Sequence, residues 1–124
     1  MSCLRAIVFD SVHPAALARF WAEVLDGYAV RAYDADEIAR LAEAGRTPET
    51  DPSVAVDGPG PTLWFQETGS SKTARNRVHL DVSGASRSAE VARLCVLGAT
   101  IRTERRDHTV LLDPEGNEFC VVEV

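Results

Sequence analysis

Short runs of strand character alternate along this chain with segments whose apolar residues recur every three or four positions. Ile7-Val8-Phe9-Asp10 reads as a strand, and after Val12-His13 the residues Leu17, Phe20, Trp21, Val24 and Leu25 fall on one face of a helix. Pro14 sits at the natural first turn of that helix. The same order returns later. Val78-His79-Leu80-Asp81 reads as a strand, and a helix opening near Ser86 carries Val91, Leu94, Cys95, Val96 and Leu97 on its apolar stripe.

A shift of 71 residues lays Ile7 on Val78, Phe20 on Val91, Val24 on Cys95, Gly27 on Gly98 and Val30 on Ile101. Such self-similarity marks an internal repeat. Gly27 and Gly98 are expected to form left-handed helix caps, because glycine enters that region without a Cβ penalty. Behind Gly98 come three strand patterns, Thr100 to Thr103, Thr109 to Leu112 and Glu118 to Glu123. Asp113-Pro114-Glu115-Gly116-Asn117 makes the tight turn between the last two. The first half repeats this with strands near Tyr28-Arg31, Ser53-Val56 and Thr62-Glu67, interrupted by an insertion from Asp34 to Asp51. Within it, Glu37 to Ala44 reads as a short helix ended by Gly45, with an apolar stripe thin enough for an edge or a pocket mouth. The predicted fold is therefore α+β, two βαβββ modules at about 1–68 and 77–124 joined by a polar linker at about 69–76.

Composition narrows the picture. The 124 residues are 45% hydrophobic and 26% charged, which suits one ordered domain of ordinary size. A net charge of −6 argues against general nucleic-acid binding, which needs clustered cations. The basic run Arg102, Arg105, Arg106 reads as a solvated strand end in preference to a phosphate site. No stretch approaches the roughly 20 apolar residues of a membrane helix, and no secretory h-region is present, so the expected location is the cytoplasm. Cys3, Cys95 and Cys120 lack metal-knuckle or redox spacing and read as free thiols of a reducing compartment.

Four phrases carry a family resemblance: Leu17 to Leu25 with Gly27, Arg77-Val78-His79-Leu80-Asp81-Val82, Leu97-Gly98-Ala99, and Asp113 to Cys120. In this order they resemble the vicinal oxygen chelate superfamily, and more closely its small bacterial glyoxalase-like domains. The resemblance implies a cleft between two curled mixed sheets with helices outside. It spans glyoxalase I, extradiol dioxygenases, epimerases, fosfomycin-modifying transferases and bleomycin-binding proteins, so fold alone leaves the function open. It also implies a divalent metal held by His, Gln or Glu from the first and last strands of each module.

Strand alternation separates the two faces. If Ile7, Phe9, Leu63, Phe65, Leu80, Val82, Phe119 and Val121 face the helices, the inner set is Val8, Asp10, Trp64, Gln66, His79, Asp81, Glu118, Cys120 and Val122. Against the metal pattern implied by the resemblance, His79 matches, Val8 or Ala6 stands where a first-module ligand belongs, and Cys120 stands for the last-strand Glu. Gln66 or Trp64 takes the fourth place. The metal site thus reads as degenerate. No metal ligand or cofactor is assigned, and a bound divalent metal is the minority reading.

His79 is the candidate catalytic acid or base. Trp64, Gln66, Asp81, Glu118 and Cys120 are the candidate ligand-binding residues. Asp81 and Glu118 offer a carboxylate pair, or else partners for Arg77 or Lys72. Cys120 offers a nucleophile if His79 lies beside it, although packing is its ordinary role. Trp64 offers a stacking face for a ring or simple packing. The loop from Lys72 to Arg77 offers a clamp for an anionic group or merely a solvated linker. His13 and His108 receive no role. The expected function is a glyoxalase-like enzyme performing lyase- or isomerase-type proton transfer on a small, partly anionic or cyclic metabolite. The alternatives are a non-catalytic drug or metabolite binder and a regulatory module, with a homodimer through module edges as the expected assembly.

Overall fold

Each module begins with a strand whose alternate residues turn toward a helix. The computed structural model describes residues 1–124, and the chain forms two units, Met1–Ser71 and Lys72–Val124, each with its own four-stranded sheet. The first contains β1 (Ala6–Ser11), α1 (Pro14–Val24), β2 (Ala29–Val30), α2 (Ala35–Glu43), β3 (Ser53–Asp57) and β4 (Thr62–Glu67). The second contains β5 (Leu80–Val82), α3 (Arg87–Leu97), β6 (Thr100–Glu104), β7 (His108–Leu112) and β8 (Glu118–Val122).

The sheet orders are β1-β4-β3-β2 and β5-β8-β7-β6, so the same topology occurs twice once α2 is set aside as an insertion. In each sheet the first strand runs parallel to the last and the remaining pairs are antiparallel. This is the α+β fold of two βαβββ modules predicted from the repeat.

In the first module, α1 buries Leu17, Ala18, Phe20, Trp21 and Val24. Phe9 stacks on Phe65 at 4.9 Å between ring centres and tilts against Trp21 at 5.5 Å, while Phe20 meets Trp21 edge-on at 5.6 Å. These offset and edge-on arrangements suit the ring quadrupoles. In the second module Leu111, Phe119 and Val121 are fully buried, and α3 contributes Val91 and Leu94 to the same core. Ser86 caps α3 by accepting the Ala89 N–H at 3.3 Å.

Several boundaries differ from the sequence pattern. Gly98 does cap α3, with φ of 123°. Gly27, with φ of 74°, lies beyond the extended C-cap Leu25 and turns the chain into β2 instead. α2 starts two residues earlier than its apolar pattern suggests, because Asp34 accepts the Glu37 N–H at 2.8 Å and nucleates the first turn. No α2 residue is buried. The segment after it is held by polar contacts: Arg19 makes a bidentate pair with Glu49 at 2.7 and 2.8 Å, and Arg46 a bidentate pair with Glu67 at 3.1 Å. β5 starts at Leu80, so His79 precedes the strand rather than lying within it.

The register of β6 on β7 shifts between Ile101 and Thr103. Ile101 pairs with Leu111 and Thr103 with Val110, which leaves Arg102 as the extra residue of a β-bulge. The parity of the strand reverses there.

Candidate functional site

The open face of the second sheet is built from residues two apart on each strand. Asp81 pairs in register with Cys120, Cys120 with Val110, and Val122 with His108. The residues between them, Leu80, Phe119, Val121 and Leu111, belong to the helix-covered side. A one-residue slip would expose that whole set, and burying each such side chain stabilises by roughly 1.5–3 kcal/mol. Core packing therefore fixes which way the polar residues point.

His79, two residues before Asp81, joins it on this face. His79 Nε2 stands 3.2 Å from Asp81 Oδ1, and both side chains remain more than half exposed. Cys120 lies beside them, with one donor atom of each of the three residues within 4.8 Å of the others. Burial pushes the Cys120 thiol above its ordinary range, and the negative charge of Asp81 adds to the effect. A thiol held protonated is a poor nucleophile, so this environment favours packing over nucleophilic chemistry for Cys120.

Glu118 takes the second of the two readings its sequence offered, pairing with Lys72 rather than forming a carboxylate pair with Asp81. Its Oε1 receives Lys72 Nζ at 3.2 Å and Arg102 Nη1 at 2.8 Å, and its Oε2 receives the Asn76 backbone N–H at 3.0 Å. Asn76 Oδ1 in turn accepts the Glu118 N–H at 3.1 Å. With a side chain only 10% exposed, Glu118 is pushed upward by burial, yet the N–H donors and Lys72 outweigh this and hold its carboxyl below the usual range. Glu118 is an anchor that fastens the loop at 72–76 to β8.

Two local devices make this arrangement. Buried Asp113 accepts the N–H groups of Glu115 at 2.9 Å and Asn117 at 3.0 Å, which closes the turn and sets where β8 begins. The bulge then lets Arg102 reach Glu118 from the neighbouring part of the sheet. Neither the bulge nor the pairing of Arg102 follows from the apolar pattern, which assigned that basic run to solvent.

His79, Asp81, Glu118 and Cys120 line an open concavity of about 750 Å³ on the second module. Arg75, Arg102, Arg105 and His108 share its lining. Of these, Arg75 was read within the basic loop, Arg102 and Arg105 as a solvated strand end, and His108 without a role. Trp64 and Gln66 lie on the first module's sheet, where Val8 pairs with Trp64 and Asp10 with Gln66. The Arg31 guanidinium sits 5.0 Å over the Trp64 ring and makes a bidentate pair with Asp57 at 2.7 and 2.9 Å.

A family model described as a glyoxalase-like domain matches residues 6–122. The chain belongs to this glyoxalase-like domain family. Its structure is similar to that of a glyoxalase/bleomycin resistance protein/dioxygenase family enzyme from Burkholderia phytofirmans, with a TM-score of 0.69, 19% identity and 99% of each chain covered. It is also similar to a fosfomycin resistance protein from Mesorhizobium loti, with a TM-score of 0.67, 16% identity, and 98% of this chain and 91% of that one covered. A third likeness is to the trypanothione-dependent glyoxalase I of Leishmania major, with a TM-score of 0.63, 17% identity, and 99% and 87% covered. No curated protein matches the chain. At these identities the solved structures establish the shared fold.

The fold family implies a hard divalent ion held by nitrogen and oxygen donors from both modules. The residues of this glyoxalase-like domain do not fit that ion. Val8 offers no donor, and Cys120 offers sulfur where that ion prefers oxygen. Imidazole, carboxylate and thiol would together suit a thiophilic ion such as zinc rather than the oxygen-preferring ions.

Proposed function

We propose that this glyoxalase-like domain is an enzyme catalysing isomerase- or lyase-type proton transfer on a small molecule bound in the second module's concavity. The observation that carries the reading is the His79–Asp81 pair, at 3.2 Å in the lining of that concavity. A carboxylate oxygen only accepts, so in the neutral ring the nitrogen facing it carries the proton. Nδ1 is then the basic nitrogen. It takes a proton from a substrate carbon, and Asp81 orients the ring and stabilises the imidazolium that forms. In an isomerisation the proton returns to a neighbouring carbon; in an elimination the electron pair expels a leaving group. Neither path needs an oxidant or a second substrate.

Both groups of the pair are solvated, so a bound ligand must exclude water before the imidazole–carboxylate interaction gains strength. Glu118 serves by fixing the loop at 72–76 over β8, and Cys120 by packing beneath the pair. No helix is long and apolar enough to cross a membrane, and Cys3, Cys95 and Cys120 are free thiols.

The test is a set of small carbon acids, α-hydroxy carbonyl compounds and β-substituted carboxylates, incubated with the protein in D2O and followed by proton NMR. Enzyme-dependent loss of one C–H signal is expected, with H79Q reducing the rate by about 10²- to 10⁴-fold, the usual worth of a general base. Unchanged exchange in H79Q would remove His79 from the mechanism.

A further inference from the structure

The concavity of the second module is lined by charged groups of both signs, and two of its guanidinium groups have no partner within the module. Four carboxylates line it, and each has a basic partner within the module. Asp81 faces His79 at 3.2 Å, Asp107 faces His108 Nδ1 at 2.8 Å, Glu123 faces Arg87 Nε at 3.0 Å, and Glu118 takes Lys72 and Arg102. The guanidinium groups of Arg75 and Arg105, in the same lining, meet no acceptor. Arg105 is tied only through its backbone, its N–H donating to the His108 carbonyl at 2.8 Å and its own carbonyl accepting from Arg87 at 3.1 Å.

Free arginines are ordinary on a protein surface, and Arg77 and Arg106 elsewhere on this module are examples. What sets Arg75 and Arg105 apart is that they share a lining with the His79–Asp81 pair while each carboxylate there already has another side-chain partner. The chain as a whole carries a net charge of −6, and three arginines stand among four carboxylates in this hollow, so any pull on an anion comes from the two unpartnered guanidinium groups and not from the net charge. A guanidinium has a rigid fork of five N–H groups and no acceptor, so its natural complement is a carboxylate or a phosphate.

We infer that the ligand of this site carries an anionic oxygen group, carboxylate or phosphate, that Arg75 and Arg105 bind, presenting the neighbouring carbon to His79. This rests on reading the concavity as the ligand site, and it adds the ligand's chemical class. Arg102 is excluded from the binding pair because its Nη1 is committed to Glu118 at 2.8 Å. The bulge is what makes that division of labour: it spends one arginine of the basic run on the scaffold and leaves Arg105 available.

The experiment is a calorimetric or NMR titration of the full chain with inorganic phosphate and, separately, with succinate. Saturable binding of at least one probe is expected, weakened by about tenfold in R75Q and in R105Q and unchanged in R106Q, with both single variants melting cooperatively. Tighter phosphate binding identifies a phosphate-bearing ligand, and tighter succinate binding a carboxylate-bearing one; either supports the inference. Absence of saturable binding to both probes overturns it, as does equal weakening in R106Q, which would show diffuse charge attraction. The same titration on H79Q separates this inference from the proton-transfer reading. Anion binding that survives in H79Q, in a protein that never exchanges a C–H proton, would sink the chemistry and leave the anion site standing. Exchange confined to uncharged compounds would do the reverse.

Discussion

The two modules share one topology and differ in what their sheets present. Register makes the comparison residue by residue. On the open face of the first sheet Val8 pairs with Trp64 and Asp10 with Gln66; in the second, Asp81 pairs with Cys120, and His79 occupies the place of Val8. One repeat kept an apolar residue and an amide where the other has an imidazole and a thiol. The helices differ in the opposite sense: α1 buries seven residues beside an aromatic cluster, whereas α3 buries two and leaves Val96 89% exposed. A duplicated fold can thus hold an aromatic core in one copy and leave titratable residues exposed in the other.

The sharpest way to break this comparison is to exchange the two kinds of residue. Trp21→Ala removes the centre of the aromatic cluster and should lower unfolding stability by about 3–5 kcal/mol in chemical denaturation. His79→Ala, at an exposed position, should change stability by no more than about 0.5 kcal/mol while abolishing exchange. A similar loss of stability in both variants would show that the second module's pair is structural.

Glu118 gives the next largest effect. Removing it leaves Lys72, Arg102 and the Asn76 N–H without their acceptor, and Glu118→Ala should cost about 1–3 kcal/mol. Its carboxyl titrates below the usual range in the folded chain. Its contribution is therefore complete above the unfolded value near 4.3 and is lost as pH falls through the folded one. Thermal melts between about pH 6 and pH 3 should show a flatter acid limb in Glu118→Gln than in the parent.

Cys120 moves stability the other way. Its thiol is raised by burial and by Asp81, so the stabilisation it contributes is present below the unfolded value near 8.5 and fades as pH climbs through the folded value. Thiol labelling at neutral pH should consume exposed Cys3 first and Cys120 last. Asp81→Asn should speed Cys120 labelling by a few-fold, the sign expected when a neighbouring negative charge is removed. The smallest expected signal is elemental: protein purified without an affinity tag should carry well under one zinc, nickel, manganese or iron per chain. A stoichiometric ion held by His79, Asp81 and Cys120 would overturn the reading of this metal set as degenerate.

Much of the fold was legible because the repeat is written in apolar spacing and glycine placement. Pro14, Ser86 and the Asp113 turn mark ends that local chemistry dictates, so those boundaries stand where the residues put them. Strand parity likewise placed Asp81 and Cys120 side by side. What stayed hidden depends on side-chain partners and register. Arg102 looked like a solvated strand end because a bulge has no hydropathic signature; of the three donors to Glu118 only Lys72 was among the partners the sequence offered, while the Asn76 N–H and Arg102 depend on loop geometry and register. Asp34 was missed as a helix cap because the thin apolar stripe of α2 begins later than its hydrogen bonding.

The central claim, that Asp81 fixes His79 as a base acting through Nδ1, is open to direct observation by long-range ¹⁵N–¹H correlation NMR of the imidazole ring. The account predicts a neutral His79 ring protonated at Nε2, with Nδ1 showing the shift of an unprotonated nitrogen, and a loss of that single-tautomer pattern in Asp81→Asn. A ring protonated at Nδ1 in the parent protein, or a spectrum indifferent to Asp81→Asn, would contradict it.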